Sequence, residues 1–441
     1  MTTERISSTP MPGLPDGSMM DLARRLYPIA RSLTGTGVRR SLYVLKETFA
    51  DVAGLQVIEL PTGQAVFDWR IPDEWNLRAA WLEGPDGERI IDLASHNLHV
   101  VDYSEPVDRT LTLEQLQPHL HSLPDRPDWI PFRSAHGQRD WGFCLSHRQR
   151  ERLVPGTYRA VIDATLAGGS LTFGEVYLPG ETDRDILICT HISHPSLAND
   201  NVSGMVVAAG LIRALAGRRG RFGVRVIFVP ATIGAIAWLA TRREEANCIA
   251  HGLVLCSLGD GAPFHYMQTY QGTAEIDRVM AHLMSAPGAY SGRVMPFSPT
   301  GGDERQFNSP GVRAPVGSLM RSPRGTYPEH QTSADDLSFI SAAALQESLD
   351  LCLATVATLQ ANRRFLNLSP NGEPNLSRRG VQVPSQTSQS QEDQDAMLWV
   401  LTMSDRSHSL LDIANRAGMS FDRINRAART LEKAGLLQAI N

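Results

Sequence analysis

The chain has 441 residues, 42% hydrophobic and 20% charged, with a formal net charge of −5. That length calls for two or three domains, the apolar share suits a globular core, and the near balance of charge gives no general attraction for a polyanion. The five cysteines (Cys144, Cys189, Cys248, Cys256, Cys352) are scattered without a CxxC, which points to a reducing cytoplasm rather than a disulfide framework. Residues 1–18 are polar and rich in Pro and Gly. They read as a flexible tail without an apolar export segment, and no apolar run suggests a membrane span.

In chain order, Leu22, Leu26, Ile29 and Leu33 recur at helical spacing and predict a helix over 19–35, stopped by Gly35 and Gly37. A second helix is expected over 41–53. Residues 55–160 read as a β-rich block in which Trp69, Trp75, Trp81 and Trp129 lie among Pro, Asp and Gly, with strands at 57–60 and 98–101 and a helical turn at 113–116. Strands at 171–178, 186–189, 224–229 and 252–255 then alternate with helices at 205–216, 233–241 and 276–284, which implies an α/β fold with a mostly parallel sheet covered on both faces. A helix over 342–362 closes it. Residues 363–395, above all Pro384 to Asp395, read as a linker. Helices at 396–403, 409–417 and 421–434, a Gly418-Met419-Ser420 turn and a strand from 435 form a winged-helix pattern over 396–441.

The chemistry concentrates in Thr190-His191-Ile192-Ser193-His194-Pro195 and Ala198-Asn199-Asp200-Asn201-Val202-Ser203-Gly204, between a predicted strand and a helix. Imidazoles and a carboxylate at the carboxyl edge of a sheet suit zinc, so His191, His194 and Asp200 are metal candidates. The plain alternative is a polar turn with Asp200 or Asn199 as N-cap. His119, His121, His147, His251 and His265 read as surface or satisfied core residues, and Cys256 as a buried thiol.

Together with Phe67–Pro72, Asn97–Val101, Trp141–Cys144, Gly302–Gln306 and Thr332–Asp336, this stretch resembles the DUF4910/DUF2172 family of aminopeptidase-like proteins. The resemblance runs from about residue 20 to the C-terminus. It implies an M28-like zinc-peptidase core (19–54 and 161–362), with 55–160 inserted and a winged helix at the end. It also implies hydrolysis of an amide near a free amino terminus. Zinc acidifies a water, a carboxylate takes its proton, and a second cation or an arginine steadies the oxyanion. His191 matches the first ligand position and Asp200 the bridging one.

Three departures from the family pattern stand out. The paired glutamates are replaced by Pro230-Ala231-Thr232-Ile233-Gly234-Ala235-Ile236. The second-metal aspartate reads Cys256, with Asp260 four residues on. The final histidine, His330, stands one place early, before Gln331. One zinc on His191, Asp200 and His330 is therefore expected, a second ion being left open. Asp303, Glu304 or Glu329 would supply the base, and Arg305 would polarise a carbonyl or hold a carboxylate. Asp335 and Asp336 would cap the helix at Leu337 or orient a ligand.

The expected substrate is a small peptide or aminoacylated metabolite, in a biosynthetic pathway that the resemblance alone suggests. The competing functions are a non-catalytic metal- or peptide-binding scaffold and a ligand-sensing DNA-binding regulator. Arg423, Arg426, Arg429 and Lys433 lie on the third winged-helix element, but Asp422, Glu432 and the acidic stretch before it dilute that face. Docking or homo-oligomerisation is its expected role.

Overall fold

The computed structural model describes residues 19–285, 290–381 and 388–440; the expected tail at 1–18 lies outside them. Two compact units emerge. One reaches to Tyr270 and takes in Pro296–Asp350, and the other joins Gln271–Met295 to the chain from Leu351 onward.

The first unit is built on a mixed sheet. Its strands run in the spatial order Gln56–Pro61, Ser170–Leu178, Gly223–Val229, Asp185–His191, Ile249–Leu255, Val316–Met320 and Phe264–Met267. The strands from Gly223–Val229 to Val316–Met320 pair in parallel, and the remaining pairings are antiparallel. Asp185–His191 and Gly223–Val229 are buried at every residue, as parallel strands covered on both faces must be. Leu187, Cys189, Ile227 and Val229 share a core cluster with the helix Ile233–Thr241. The alternate residues Ile186, Ile188, Val226 and Phe228 are just as buried. Period-two alternation turns them to the opposite layer, and the helix Gly204–Leu215 also contacts these strands.

The inserted β-rich block has its own antiparallel sheet, ordered Arg89–Asp92, Glu74–Glu83, Thr157–Ala167 and Val107–Thr112. Trp75, Leu82, Trp141, Phe143 and Tyr158 anchor its core, whereas Trp69 is exposed and Trp81 and Trp129 are half-buried.

Several boundaries differ from the sequence reading. The first helix stops at Leu26, because Pro28 lacks an N–H and disfavours helix in the residue before it. The second starts at Thr36, with Gly37 inside it. Gly35 precedes it at φ 91°, where a side chain would also collide with the Trp75 carbonyl. Gln56–Pro61 pairs with Ser170–Leu178, so the sheet of the insertion begins at Glu74, not 55, and runs to Ala167, not 160. Asn97–His99 is a short helical turn rather than a strand, capped by the His96 ring, which accepts the Leu98 N–H. Ala342–Ala361 is long and apolar enough for a membrane span by composition, yet Leu345, Leu349, Leu351, Cys352, Val356 and Leu359 are buried within the protein.

In the second unit the expected linker is largely ordered structure. Arg364–Asn367 is the middle strand of a three-stranded sheet with Asp405–Ser409 and Leu437–Ile440, and Ser388–Met403 is one continuous helix. Residues 382–387 of that stretch lie outside the described residues. The helix Glu275–Ser285, expected with the peptidase core, belongs here. Arg278 pairs with Asp412. The His282 ring reaches Asn415 Oδ1 at 2.7 Å and accepts the Phe421 N–H at 3.0 Å. These bonds tie it to the winged helix.

Candidate metal centre

Four neighbouring parallel strands present their carboxyl ends to one edge, where an α/β sheet places ligand sites. His191 ends the strand Asp185–His191. Asp200 follows in a turn whose backbone leaves helical geometry at Asp200 and Asn201, with the Asp200–Asn201 peptide bond cis. This turn bends the chain back so that Asp200 faces the imidazoles of its own loop.

Asp200 is the hub. It is 1% exposed and His191 2%. Oδ1 lies 3.0 Å from His191 Nε2, and Oδ2 lies 3.2 Å from His194 Nδ1 and 3.5 Å from His330 Nε2. His191, His194 and Asp200 offer donor atoms within 4.8 Å of one another. Oδ2 has no hydrogen-bond partner although it is buried, which is costly for a carboxylate unless a cation or proton takes the lone pair. Burial opposes its charge, but His194 and the other imidazoles hold Asp200 well below the usual carboxylate range. Burial pushes His191 down to about 4, leaving a neutral ring with a lone pair to give. An oxygen and imidazole nitrogens are the donor set that zinc takes. The residues present fit one such ion.

His330 reaches the cluster despite its one-place shift. Beside it Gln331 has a φ of 55°, in the left-handed region that non-glycine residues rarely adopt.

The backbone of the Asp200 turn is held from across the site. The buried Asp335 carboxylate accepts the N–H groups of Asn199 at 2.5 Å and Asp200 at 3.0 Å. Its neighbour Asp336 instead accepts the Ser338 N–H in a turn; the helix expected at Leu337 does not form, the next one beginning at Ala342. Asn199 donates to Asp260 at 2.6 Å and accepts the Gly259 N–H. Asp260 is thus committed to positioning Asn199. Cys256 lies at the aspartate position instead, with Sγ 3.7 Å from Asp200 Oδ1. Burial pushes its thiol far up.

Asp303 and Glu304 begin a short helix beside this edge. Glu304 is engaged, its Oε1 accepting the Gly302 N–H at 2.6 Å. Asp303 is 2% exposed and neither of its oxygens has a partner. Burial, with Glu304 nearby, pushes it up to about 7, which suits a group that exchanges a proton near neutrality. Two expectations fail here. Arg305 is exposed and donates to the Pro299 carbonyl, and its charge reaches Asp303 and Glu304 only through space. Glu329 contributes only its carbonyl, to Thr332, and among the described residues no bond joins its carboxylate to the cluster.

Two contributors were missed in the sequence. Arg324, in the loop after Val316–Met320, is a cation that acts on Asp200, Cys256, Asp303 and Glu304. Phe132, from the insertion, sets its ring 5.4 Å from His194 and donates its N–H to the Gln331 carbonyl. Ile130 and Ser333 exchange further bonds there. Neither residue belongs to a motif with metal-site spacing; the Pro-rich run around Phe132 was the nearest signal.

In the winged helix, Arg423 pairs with Glu392 and Asp393, and Arg426 with Asp422.

A family model described as a domain of unknown function, DUF4910, matches residues 20–362, and a winged helix-turn-helix model matches 363–439. A Clostridium acetobutylicum protein, provisionally named a polysaccharide biosynthesis protein with an aminopeptidase-like domain, is 40% identical over 425 residues, 96% of each chain. A solved structure from that organism, provisionally called a peptidase, matches at TM-score 0.90 with 39% identity over 96% of each chain. A zinc aminopeptidase from Bacillus subtilis shares the fold at TM-score 0.57 and 13% identity, covering 78% of this chain and 95% of that one. An M28 peptidase precursor from Shewanella amazonensis does so at TM-score 0.53 and 13% identity, covering 78% and 93%.

Proposed function

The chain belongs to the DUF4910 family, with an M28-type peptidase fold and a C-terminal winged helix, and from that footing we propose that it is a zinc-dependent amide hydrolase of aminopeptidase type. Its substrate in this reading is a small peptide or aminoacylated metabolite, and the name of the Clostridium relative supports a place in polysaccharide biosynthesis. A cytoplasmic location goes with it, supported by five free cysteines.

One observation carries the reading: the buried Asp200 Oδ2 makes no hydrogen bond and stands among imidazole nitrogens. A zinc ion held by His191, His194, His330 and Asp200 would supply Lewis acidity and a water of lowered pKa. The protein's own groups do the rest. Asp335 fixes the Asp200 turn through its two amide bonds. Asp303, unpartnered and poised near neutrality, accepts a proton from the attacking water and returns it to the leaving nitrogen. Phe132 covers one side of His194 and limits water there.

The scaffold reading draws its support from Pro230–Ile236, which brings no carboxylate to the edge. Dipeptide and aminoacyl-p-nitroanilide hydrolysis by the zinc-loaded protein separates the two. The hydrolase reading expects turnover in the wild type and a loss of roughly 10²- to 10⁴-fold in Asp303→Asn with zinc retained. A zinc-bound wild type that cleaves none of these amides would favour the scaffold. The winged helix is proposed as a docking module without a duplex partner, which the pairing of Arg423 and Arg426 with carboxylates supports.

A further inference from the structure

Arg324 stands apart from the other arginines near the site. Arg305 is spent on a carbonyl, and Arg31 is buried and donates to the His194 carbonyl at 3.1 Å. Arg324 is exposed, and among the described residues it makes no hydrogen bond or ion pair, although three carboxylates act on it through space. Its position is given by Gly302. A Cβ built there would lie 3.6 Å from an Arg324 terminal nitrogen and 3.3 Å from Glu304 Oε2. The absent side chain thus leaves a cradle of glycine backbone, with the guanidinium and a buried carboxylate both within 4 Å of the missing Cβ. The next residue in the chain is Asp303, whose oxygens have no partner.

A free guanidinium beside such a cradle suits an anionic group on a ligand. Its planar fork matches a carboxylate with two parallel hydrogen bonds. Asp200 and Asp303 are sealed from solvent, whereas Arg324 is exposed. It therefore meets a part of the ligand that stays near water, not the carbonyl under attack. We propose that Arg324, over the Gly302 cradle, binds a carboxylate on the leaving side of the substrate, so that the substrate class is a short amide ending in a free acid, such as a dipeptide or an aminoacyl amino acid. This rests on the hydrolase reading for the word substrate, but the anion site stands on its own geometry.

The test compares L-leucyl-L-leucine with L-leucyl-L-leucinamide, identical except for the carboxylate. Their binding is measured by calorimetry on the full-length, zinc-loaded Asp303→Asn protein, which keeps Arg324 while suppressing turnover, and on the same protein carrying Arg324→Gln. Hydrolysis of both compounds is measured with the wild type. The acid should bind roughly 10-fold more tightly than the amide, and Arg324→Gln should bring the two within about 2-fold with zinc content unchanged. Equal affinity for acid and amide, a preference for the acid that survives Arg324→Gln, or no binding of either compound would overturn the proposal. If the acid is preferred through Arg324 but neither compound is hydrolysed, the anion site stands and the hydrolase reading falls. If both are hydrolysed alike without discrimination, the reverse holds.

Discussion

Asp303 and Asp335 are both buried carboxylates, and burial pushes both up to about 7. Asp335 is bonded by the amides of Asn199 and Asp200; Asp303 is bonded by nothing among the described residues. The first is held because the Asp200 turn needs it. The second carries an unmet cost that folding alone does not explain. A buried acid with partners is architecture, whereas a buried acid without them waits for a proton or a ligand.

The sharpest way to break this contrast is to neutralise each acid in turn. Asp303→Asn should leave the fold and zinc content intact while turnover collapses. Asp335→Ala strands two buried amides and should destabilise by about 2–6 kcal/mol, at about 1–3 kcal/mol for each unsatisfied group, with zinc affinity falling as well. Urea unfolding and zinc titration of the two variants would report this. Equal stability losses at both positions would erase the distinction.

A smaller effect lies in pH. The folded-state pKa of Asp303 is raised from 3.8 to about 7. Its contribution to stability is therefore fully present below about pH 4 and is lost as pH rises through 7. Asp303→Asn removes that dependence. In chelator-treated protein the variant should gain stability relative to wild type between pH 5 and pH 8, as read from urea midpoints; a constant difference would show that Asp303 is not perturbed. The smallest effect is expected far from this chemistry. His282→Ala should cost about 1 kcal/mol through its bonds to Asn415 and Phe421, with turnover unchanged. A loss of turnover would show that the winged-helix unit takes part in the reaction.

How much of this was legible depended on how local each signal was. His191, His194 and Asp200 lie within ten residues of one another after an apolar strand, and that proximity survives folding. His330 was found only through its Thr-Ser-Ala-Asp neighbours, and it reaches Asp200 despite the one-place shift. Arg324 was not legible, because an arginine in a Pro-Arg-Gly loop looks like any surface cation until the sheet brings it to Gly302. The choice between Asp303 and Glu304 turned on a single Gly302 amide, which no spacing reveals. Arg364–Asn367 was read as linker because its strand partners lie some forty and seventy residues further on.

The central claim is that His191, His194, His330 and Asp200 hold one metal ion. Elemental analysis of the purified protein, beside His191→Ala and Asp200→Asn, tests it most directly. The account predicts about one zinc per chain in the wild type and loss of that zinc in both variants. A wild type that takes up no zinc after incubation, or variants that keep it, would contradict the account.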